Sequence, residues 1–377
     1  ESTAILAERP PMGWNSWITF GEEINESLIR EAADAIVKSG LKDAGYEYVI
    51  IDDCWALRER GRDGRMVPDH KKFPSGMKAL AEYIHKKGLK FGMYSCAGTM
   101  TCASYPGSLD HEFIDAQTFA EWGVDYLKYD YCFKPANADG ATLYRRMGLA
   151  LANSGRDILF AACSWGADAT HSWIRSSHAH TWRSTGDIND SFVSIKSIIE
   201  QQIPLLPYGG QGCFNDMDML IVGMNGKGNV GLTGCTFQEY KLHFSAWALF
   251  ASPLIIGCDV RSMDETTRKI LLNRDVIAVN QDRGGRQVYQ TQNDYGVHVF
   301  VRVMENGDVV VGLFNLNDDR RRGILFSDTI GLSQNTGRTV VFRDLWTDER
   351  RYFVNGTIEL SVDAHDCVMM RGSVKEL

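Results

Sequence analysis

The sequence predicts an α/β protein, a (β/α)8 TIM barrel followed by a C-terminal antiparallel β-sandwich domain. In residues 1–285, short apolar runs alternate with segments of helical period, which is the pattern of βα units. Eight such runs occur, the number that closes a barrel. In residues 286–377 the pattern changes to short runs rich in β-branched residues. We therefore expect a catalytic barrel over 1–285 and a β domain over 286–377.

Each element follows from its local pattern. The predicted barrel strands are residues 12–17, 46–52, 90–95, 126–130, 157–163, 180–184, 205–210 and 254–259. The helical segments between them are residues 26–38, 74–87, 115–122, 190–201 and 239–251, and Asn25 is the expected N-cap of the first. In the tail, residues 296–303, 309–314 and 339–342 read as strands, with hairpin turns at Asn306-Gly307 and Asn355-Gly356.

Composition excludes several classes of function. The net charge of −8, with no Lys/Arg-rich run, argues against nucleic-acid partners. No run approaches the roughly 18 apolar residues that span a bilayer, so no membrane partner is expected. The nine cysteines form no CxxC pair and there is no HExxH motif, so we expect neither a metal nor a cofactor. Residues 1–10 lack the charged and apolar regions of a signal peptide.

Polar and aromatic side chains collect where the predicted strands end, which is the face that carries catalysis in a barrel. Following the strands in order, they are Trp17, Asp52, Asp53, Tyr94, Lys128, Asp130, Cys163, Ser164, Trp165, Arg183, Asp187, Asn215, Asp216 and Asp218. A single aspartate at a strand end is more often a helix cap or a turn residue. The recurrence over seven strands instead indicates an active site.

The residue types indicate the chemistry. Without a metal cluster, a phosphate-binding loop or a Ser/His/Asp arrangement, the available catalysts are carboxylates, and two carboxylates are what glycosidic cleavage requires. Lys128 precedes Asp130 by two residues and so faces the same side of the strand, where its charge is expected to keep Asp130 ionised. Asp187 follows the sixth strand near Arg183. Spacing alone does not decide which aspartate is nucleophile and which is acid.

Several longer motifs resemble one family. They are residues 11–17 (PMGWNSW), 52–55 (DDCW), 117–130 (QTFAEWGVDYLKYD), 182–187 (WRSTGD), 215–219 (NDMDM) and 276–282 (VIAVNQD). Together they resemble glycoside hydrolase family 27, the α-galactosidases and α-N-acetylgalactosaminidases. The resemblance implies a retaining double displacement with Asp130 as nucleophile and Asp187 as acid/base. It also implies sugar binding by Trp17, Asp52, Asp53, Tyr94, Cys102, Lys128, Arg183 and Asp218.

The resemblance implies release of terminal α-linked galactose, with one alternative. Galactose recognition in the family uses the aspartate pair after the second strand, and both Asp52 and Asp53 are present, which disfavours arabinopyranosides. The loop after the fifth strand contacts the 2-position of the sugar. Ser164 and Ala167 in that loop resemble the pattern of α-N-acetylgalactosaminidases, so this activity is the alternative.

The remaining expectations concern disulfides, cellular location and partners. By the resemblance, Cys102 and Cys132 are a disulfide candidate, and the other family disulfides are missing. That loss favours a cytoplasmic location, and a secreted protein is the alternative if a signal peptide has been trimmed. The expected partner is an oligosaccharide or glycan ending in α-galactose or α-N-acetylgalactosamine. A homo-oligomer stays open.

Overall fold

A computed structural model describes residues 5–333 and 337–376. Eight parallel strands form one curled sheet, β1 (Met12–Asn15), β2 (Tyr48–Ile50), β3 (Lys90–Cys96), β4 (Tyr126–Asp130), β5 (Leu159–Ala162), β6 (Thr181–Arg183), β7 (Phe214–Asp216) and β8 (Leu254–Ile256). The strand order β7-β6-β5-β4-β3-β2-β1-β8 follows the chain apart from β8, which pairs with β1. A parallel bridge between Leu220, just after β7, and Ile256 of β8 closes the barrel. The predicted barrel is confirmed.

Ten α-helices connect or flank these strands in the described part of the chain. They are α1 (Trp17–Phe20), α2 (Glu26–Lys38), α3 (Leu41–Ala44), α4 (Gly76–Lys86), α5 (Glu112–Trp122), α6 (Gly140–Ala152), α7 (Phe192–Gln202), α8 (Phe237–Leu249), α9 (Glu265–Leu271) and α10 (Arg274–Asn280). The Asn25 side chain accepts a hydrogen bond from Leu28 N at 2.8 Å, so the predicted cap and bounds of α2 are confirmed. Across residues 5–333 and 337–376, every helix is too short or too polar to traverse a lipid bilayer.

Most predicted barrel strands extend one or more residues beyond the observed ones, and the differences at the seventh and first strands have a clear cause. Residues 203–208 form a 3-10 helix, and the seventh strand begins only at Phe214. Pro204 and Pro207 explain the difference, because proline has no N–H to donate to a sheet. The first strand ends at Asn15, since the Asn15 side chain accepts a hydrogen bond from Trp17 N at 2.8 Å and turns the chain into α1.

The C-terminal part is antiparallel. Its strands are β9 (Tyr289–Gln292), β10 (Val297–Val303), β11 (Val309–Asn315), β12 (Arg321–Phe326), β13 (Arg338–Asp344), β14 (Arg350–Tyr352), β15 (Thr357–Val362) and β16 (Cys367–Glu376). Six of them form the sheet β14-β13-β16-β11-β10-β9, and β12 pairs with β15 in a second sheet. Both predicted turns are present: β10 and β11 form a hairpin around Asn306-Gly307, and a bridge between Val354 and Thr357 closes the turn at Asn355-Gly356.

One face of strand β10 packs in the core of the sandwich, and the other face packs in the core of the barrel. Val297, Val299 and Val301 pack in the core of the sandwich. Phe300, on the opposite face because side chains alternate along a strand, belongs to the barrel core and lies 4.8 Å, between ring centroids, from Phe250 after α8. The sandwich therefore packs directly on the barrel. The predicted boundary between residues 285 and 286 stays a prediction.

Candidate active site

One pocket of about 550 Å³ opens at the C-terminal ends of the barrel strands. Its lining residues come from all around the barrel and are Trp17, Ile18, Asp52, Asp53, Tyr94, Cys102, Lys128, Asp130, Cys163, Trp165, Arg183, Asp187, Ile188, Asp218, Met219 and Val230. Carboxylates of this set lie at the end of a strand or within four residues after it in four cases, namely β2, β4, β6 and β7. The parallel barrel brings them together because all eight strands point to the same rim.

Asp130, the last residue of β4, lies at the base of this pocket and is only 8% exposed. Tyr94 Oη donates to Asp130 Oδ2 at 2.6 Å, and Tyr131 N donates to Asp130 Oδ1 at 3.0 Å. Burial raises the pKa of Asp130, whereas the charge of Lys128 and the hydrogen bond from Tyr94 lower it, and the result stays above the usual value. The carboxylate is thus oriented by two donors and poorly hydrated, as suits a nucleophile.

Lys128 pairs directly with a different aspartate from the one that its spacing indicates. Lys128 Nζ lies 2.8 Å from Asp52 Oδ2, so its ion-pair partner is on β2's C-terminal turn. Its charge still lowers the pKa of Asp130, but it does not overcome the effect of burial there. Lys128 therefore favours the ionised form of Asp130 as expected, but burial raises the pKa of Asp130 by more than Lys128 lowers it.

Asp52 and Asp53 are held in different ways. Asn15 Nδ2 donates to Asp52 Oδ2 at 2.8 Å, alongside the Lys128 ammonium. Asp53 accepts hydrogen bonds from the backbone N–H groups of Cys54 at 2.7 Å and Ala103 at 3.1 Å. Burial raises the pKa of Asp53 to about 6, although hydrogen bonds from its neighbours oppose the rise. Both carboxyl groups line the pocket, and burial makes Asp53 bind its proton more tightly than a free aspartate does.

Arg183 connects the two carboxylates on the β6 and β7 side. Its Nη2 lies 3.0 Å from Asp187 Oδ1 and 3.1 Å from Asp218 Oδ2. The Asp218 side chain is buried, whereas the Asp187 side chain is 72% exposed. Asp218 has φ of +80°, and its Oδ1 accepts a hydrogen bond from Met219 N at 2.7 Å, which fixes this turn. Asp187 is therefore the carboxylate of the pocket that solvent reaches most easily.

The pKa of Asp187 is lowered. Its partial withdrawal from water raises the pKa, but the charges of Arg183 and Lys128 and the hydrogen bond from Arg183 outweigh that effect. The two proposed catalytic carboxyl groups are thus driven in opposite directions, Asp130 upward and Asp187 downward. In a singly protonated pair these directions place the proton on Asp130, the reverse of the arrangement that the proposed roles require.

Ser164 and Ala167 do not line the pocket. Ser164 is fully buried, with its Oγ 2.7 Å from Thr170 Oγ1, and Ala167 packs against the core at the start of a 3-10 helix. The pocket wall at the end of β5 is formed instead by Cys163 and Trp165. Trp165 takes a left-handed backbone with φ of +58°. Ser164 and Ala167 thus lie outside the pocket lining, and their contact with the sugar stays a prediction.

Cys102 and Cys132 are joined by a disulfide, with their Cα atoms 5.2 Å apart. The bridge connects the loop after β3 with the residues just after Asp130, and Cys102 Sγ lies 3.2 Å from Asp130 Oδ2. Within the described ranges, these two cysteines and Asp130 are the donor set close enough together to hold a metal ion. While the sulfurs are bonded to each other they offer no thiolate.

The apolar part of the lining, namely Ile18, Ile188, Met219 and Val230, was not predicted from the sequence. The first three each directly follow a residue that was predicted for the pocket, so adjacency in the sequence was an available signal. Val230 lies in a loop between β7 and α8, and its sequence neighbours carry no such signal. Asn215, by contrast, was among the residues expected at the rim but lies outside the pocket, where its Nδ2 donates to Gln202 Oε1 at 2.7 Å.

Known α-galactosidases are similar to this chain in sequence and in domain architecture. The family model described as alpha galactosidase A matches residues 9–282, and the model of the alpha galactosidase C-terminal beta sandwich domain matches residues 294–371. The α-galactosidase of Cyamopsis tetragonoloba is 46% identical over 97% of this chain and 86% of its own length.

Solved structures of α-galactosidases have a similar fold. α-Galactosidase I from Mortierella vinacea superposes with a TM-score of 0.92 at 37% identity, over 98% of both chains. The α-galactosidase from Saccharomyces cerevisiae with raffinose gives a TM-score of 0.88 at 31% identity, again over 98% of both chains. With the barrel, the sandwich and the acidic pocket in place, the chain belongs to glycoside hydrolase family 27, the α-galactosidase family.

Proposed function

We propose that this protein hydrolyses terminal α-linked galactosides with retention of configuration, using Asp130 as nucleophile and Asp187 as acid/base. The observation that carries the proposal is the pairing of two unlike carboxyl groups in one pocket. Asp130 is buried and oriented by Tyr94, and Asp187 lies exposed at the rim beside Arg183. A nucleophile must be fixed beneath the sugar, while the acid must reach the leaving group and later a water molecule.

The reaction proceeds in two displacements. In the first, Asp130 Oδ attacks the anomeric carbon, the glycosidic C–O bond breaks, and Asp187 gives its proton to the leaving oxygen. The product is a glycosyl ester of Asp130. In the second, Asp187, now a carboxylate, takes a proton from water as the water oxygen attacks the same carbon and releases Asp130. Loss of the Asp130 charge in the ester favours the ionised form of Asp187 and so suits the second step.

The remaining polar groups fit a single terminal sugar. Asp52, Asp53, Lys128, Arg183 and Asp218 surround the pocket with acceptors and donors for hydroxyl groups. These groups converge on one pocket at the barrel rim, which suits one sugar ring with the aglycone outside, as an exo-acting enzyme requires. The yeast relative was solved with raffinose, so we propose raffinose-type oligosaccharides as one substrate class for this chain.

The α-N-acetylgalactosaminidase alternative has less support, because the two residues that suggested it lie outside the pocket. The test is kcat/KM on an aryl α-galactoside and on the matching aryl α-N-acetylgalactosaminide. We expect the galactoside to be preferred by at least about 100-fold, the discrimination that a misfit in a shaped pocket provides. A preference for the acetamido sugar would contradict the assignment. Proton NMR of the first-formed sugar anomer tests retention independently.

A further inference from the structure

Three potential metal ligands converge at the nucleophile. The Sγ atoms of Cys102 and Cys132 and a carboxylate oxygen of Asp130 all lie within 4.8 Å of one another. Cys102 is exposed and lines the sugar pocket, so reagents in solution reach the bridge. Two thiolates and a carboxylate are ligands that suit Zn²⁺ and Cd²⁺ in tetrahedral sites with one open position.

The two loops are held together by more than the disulfide. On the Cys102 side, Ala103 N donates to Asp53 Oδ2 at 3.1 Å, and the Arg58 guanidinium donates to the carbonyl of Ala103 at 2.9 Å. Between the loops, Thr99 N donates to the Phe133 carbonyl at 3.1 Å. Opening the bridge therefore leaves both sulfurs close to Asp130, because these hydrogen bonds do not involve the sulfur atoms.

We propose that reduction of the Cys102–Cys132 disulfide creates a site for a soft divalent cation, with Cys102, Cys132 and Asp130 as ligands, and that cation binding there blocks the enzyme. A phosphine reductant and water convert the bridge into two thiols and a phosphine oxide. The cation then displaces one proton from each thiol and binds both sulfurs and the Asp130 carboxylate. An Asp130 engaged in this way cannot attack a sugar. The inhibition rests on the role proposed for Asp130, whereas the binding does not.

The binding test is spectroscopic and uses no substrate. Wild-type enzyme is reduced with a phosphine, freed of it without oxygen and titrated with Co²⁺. We expect one equivalent to give a thiolate-to-cobalt charge-transfer band in the reduced enzyme and none in the oxidised enzyme, which carries the same seven free cysteines. The same band in the oxidised enzyme, or loss of the fold on reduction as read by circular dichroism, would overturn the proposal.

Variants identify the ligands. Cys102→Ser and Cys132→Ser should each abolish the band of two thiolates, and Asp130→Asn should weaken Co²⁺ binding at least about tenfold while the sulfur band remains. Cys235→Ser is the matched control, because Cys235 is a partly exposed free thiol outside the pocket, and it should bind Co²⁺ as wild type does. A band of two-thiolate intensity that survives in Cys102→Ser, or a band that disappears in Cys235→Ser, would overturn the proposal.

Inhibition is measured separately. We expect Zn²⁺ to inhibit the reduced enzyme at a concentration at least tenfold lower than the oxidised enzyme, and galactose to protect by competing for the pocket. Equal sensitivity of the two forms would overturn the inhibitory role. An enzyme that binds Co²⁺ as expected but hydrolyses no galactoside would instead show that the proposed function is wrong and the metal site right.

Discussion

Asp130 is oriented by Tyr94, which donates to Oδ2, and by the N–H of its chain neighbour Tyr131, which donates to Oδ1. In Asp130→Asn the amide oxygen still accepts from Tyr131 N, and the amide NH2 in place of Oδ2 donates to Tyr94 Oη, so both contacts are kept with the second one reversed. We expect Asp130→Asn to lower kcat by about four orders of magnitude or more and to leave galactose affinity within a few fold. Turnover and calorimetric binding on the same preparation check this. Substantial residual turnover, after wild-type contamination is excluded, would contradict the nucleophile assignment.

The acid role of Asp187 depends on how much help the leaving group needs. Asp187→Asn should slow hydrolysis of an alkyl α-galactoside by about 100-fold or more, and the first displacement of a dinitrophenyl α-galactoside far less. Burst-phase kinetics with the activated substrate separate the two displacements. Equal losses on both substrates would mean that Asp187 supports the sugar rather than donating the proton.

The opposed pKa shifts predict a pH dependence. Productive enzyme has Asp130 ionised and Asp187 protonated, yet the pKa of Asp130 is raised and that of Asp187 is lowered. As pH rises above the pKa of Asp130, the pair loses its last proton, so kcat/KM for an alkyl galactoside should fall about tenfold per pH unit. For a dinitrophenyl galactoside, which needs only ionised Asp130, kcat/KM should level off. Parallel profiles for the two substrates would refute this.

At the scale of the element, hydrogen bonds at strand and helix ends decide where the barrel rim lies. Asn25 starts α2 by accepting a hydrogen bond from Leu28 N, and Asn15 ends β1 by accepting one from Trp17 N. Both contacts are local, but only the first is a pattern that a sequence displays, a capping residue just ahead of a periodic apolar stretch. The second was missed because the helix that begins at Trp17 has only four residues and so displays no helical period.

The cap gives a prediction about stability. Asn25→Ala should lower the free energy of unfolding by about 1 kcal/mol, because Leu28 N loses its acceptor at the helix end. Asn25→Asp keeps an acceptor and serves as the control, with stability close to wild type. Urea titration followed by circular dichroism makes the comparison, and kcat/KM should not change in either variant. An alanine variant as stable as wild type would show that the cap contributes nothing here.

For the molecule as a whole, the important contact is between barrel and sandwich. Phe300 projects from the sandwich sheet into the barrel core against Phe250, and Trp346 Nε1 donates to Ser245 Oγ of α8 at 2.9 Å. Arg302, also buried, donates to the Val279 carbonyl at 2.9 Å. Helix α8, the element that carries this interface, is therefore covered by protein on both sides and is almost continuously buried.

That interface should limit stability. Phe300→Ala should destabilise the protein by about 3–5 kcal/mol, the usual cost of a large aromatic deleted from a core, and lower its unfolding temperature. Tyr352→Ala, at an exposed position of the same sheet, is the matched control and should change little. Calorimetry checks both, with kcat/KM of the folded protein unchanged below the transition. An unshifted transition in Phe300→Ala would mean that the two parts unfold independently.

Local chemistry was enough to predict the barrel, the sandwich and most of the pocket. Alternation of strands and helices has a fixed period, and a parallel barrel sends every strand end to one rim, so Asp52, Asp130 and Asp187 were placed without coordinates. The prediction of a seventh strand at residues 205–210 was wrong, because an apolar run resembles a strand even where two prolines prevent one. The apolar run and the two prolines are both local signals, and the prolines decide the structure of residues 203–208.

Other features required the tertiary structure. Lys128 can face Asp130 by its spacing, yet it pairs with Asp52 from another strand, and only the barrel brings Asp52 within 2.8 Å. Ser164 lies in the expected loop, yet it is fully buried with its Oγ against Thr170, outside the pocket lining. Periodicity records which face of an element a residue occupies. Distances between residues far apart in the chain are decided by packing, and ion pairs, pKa shifts and pocket walls depend on those distances.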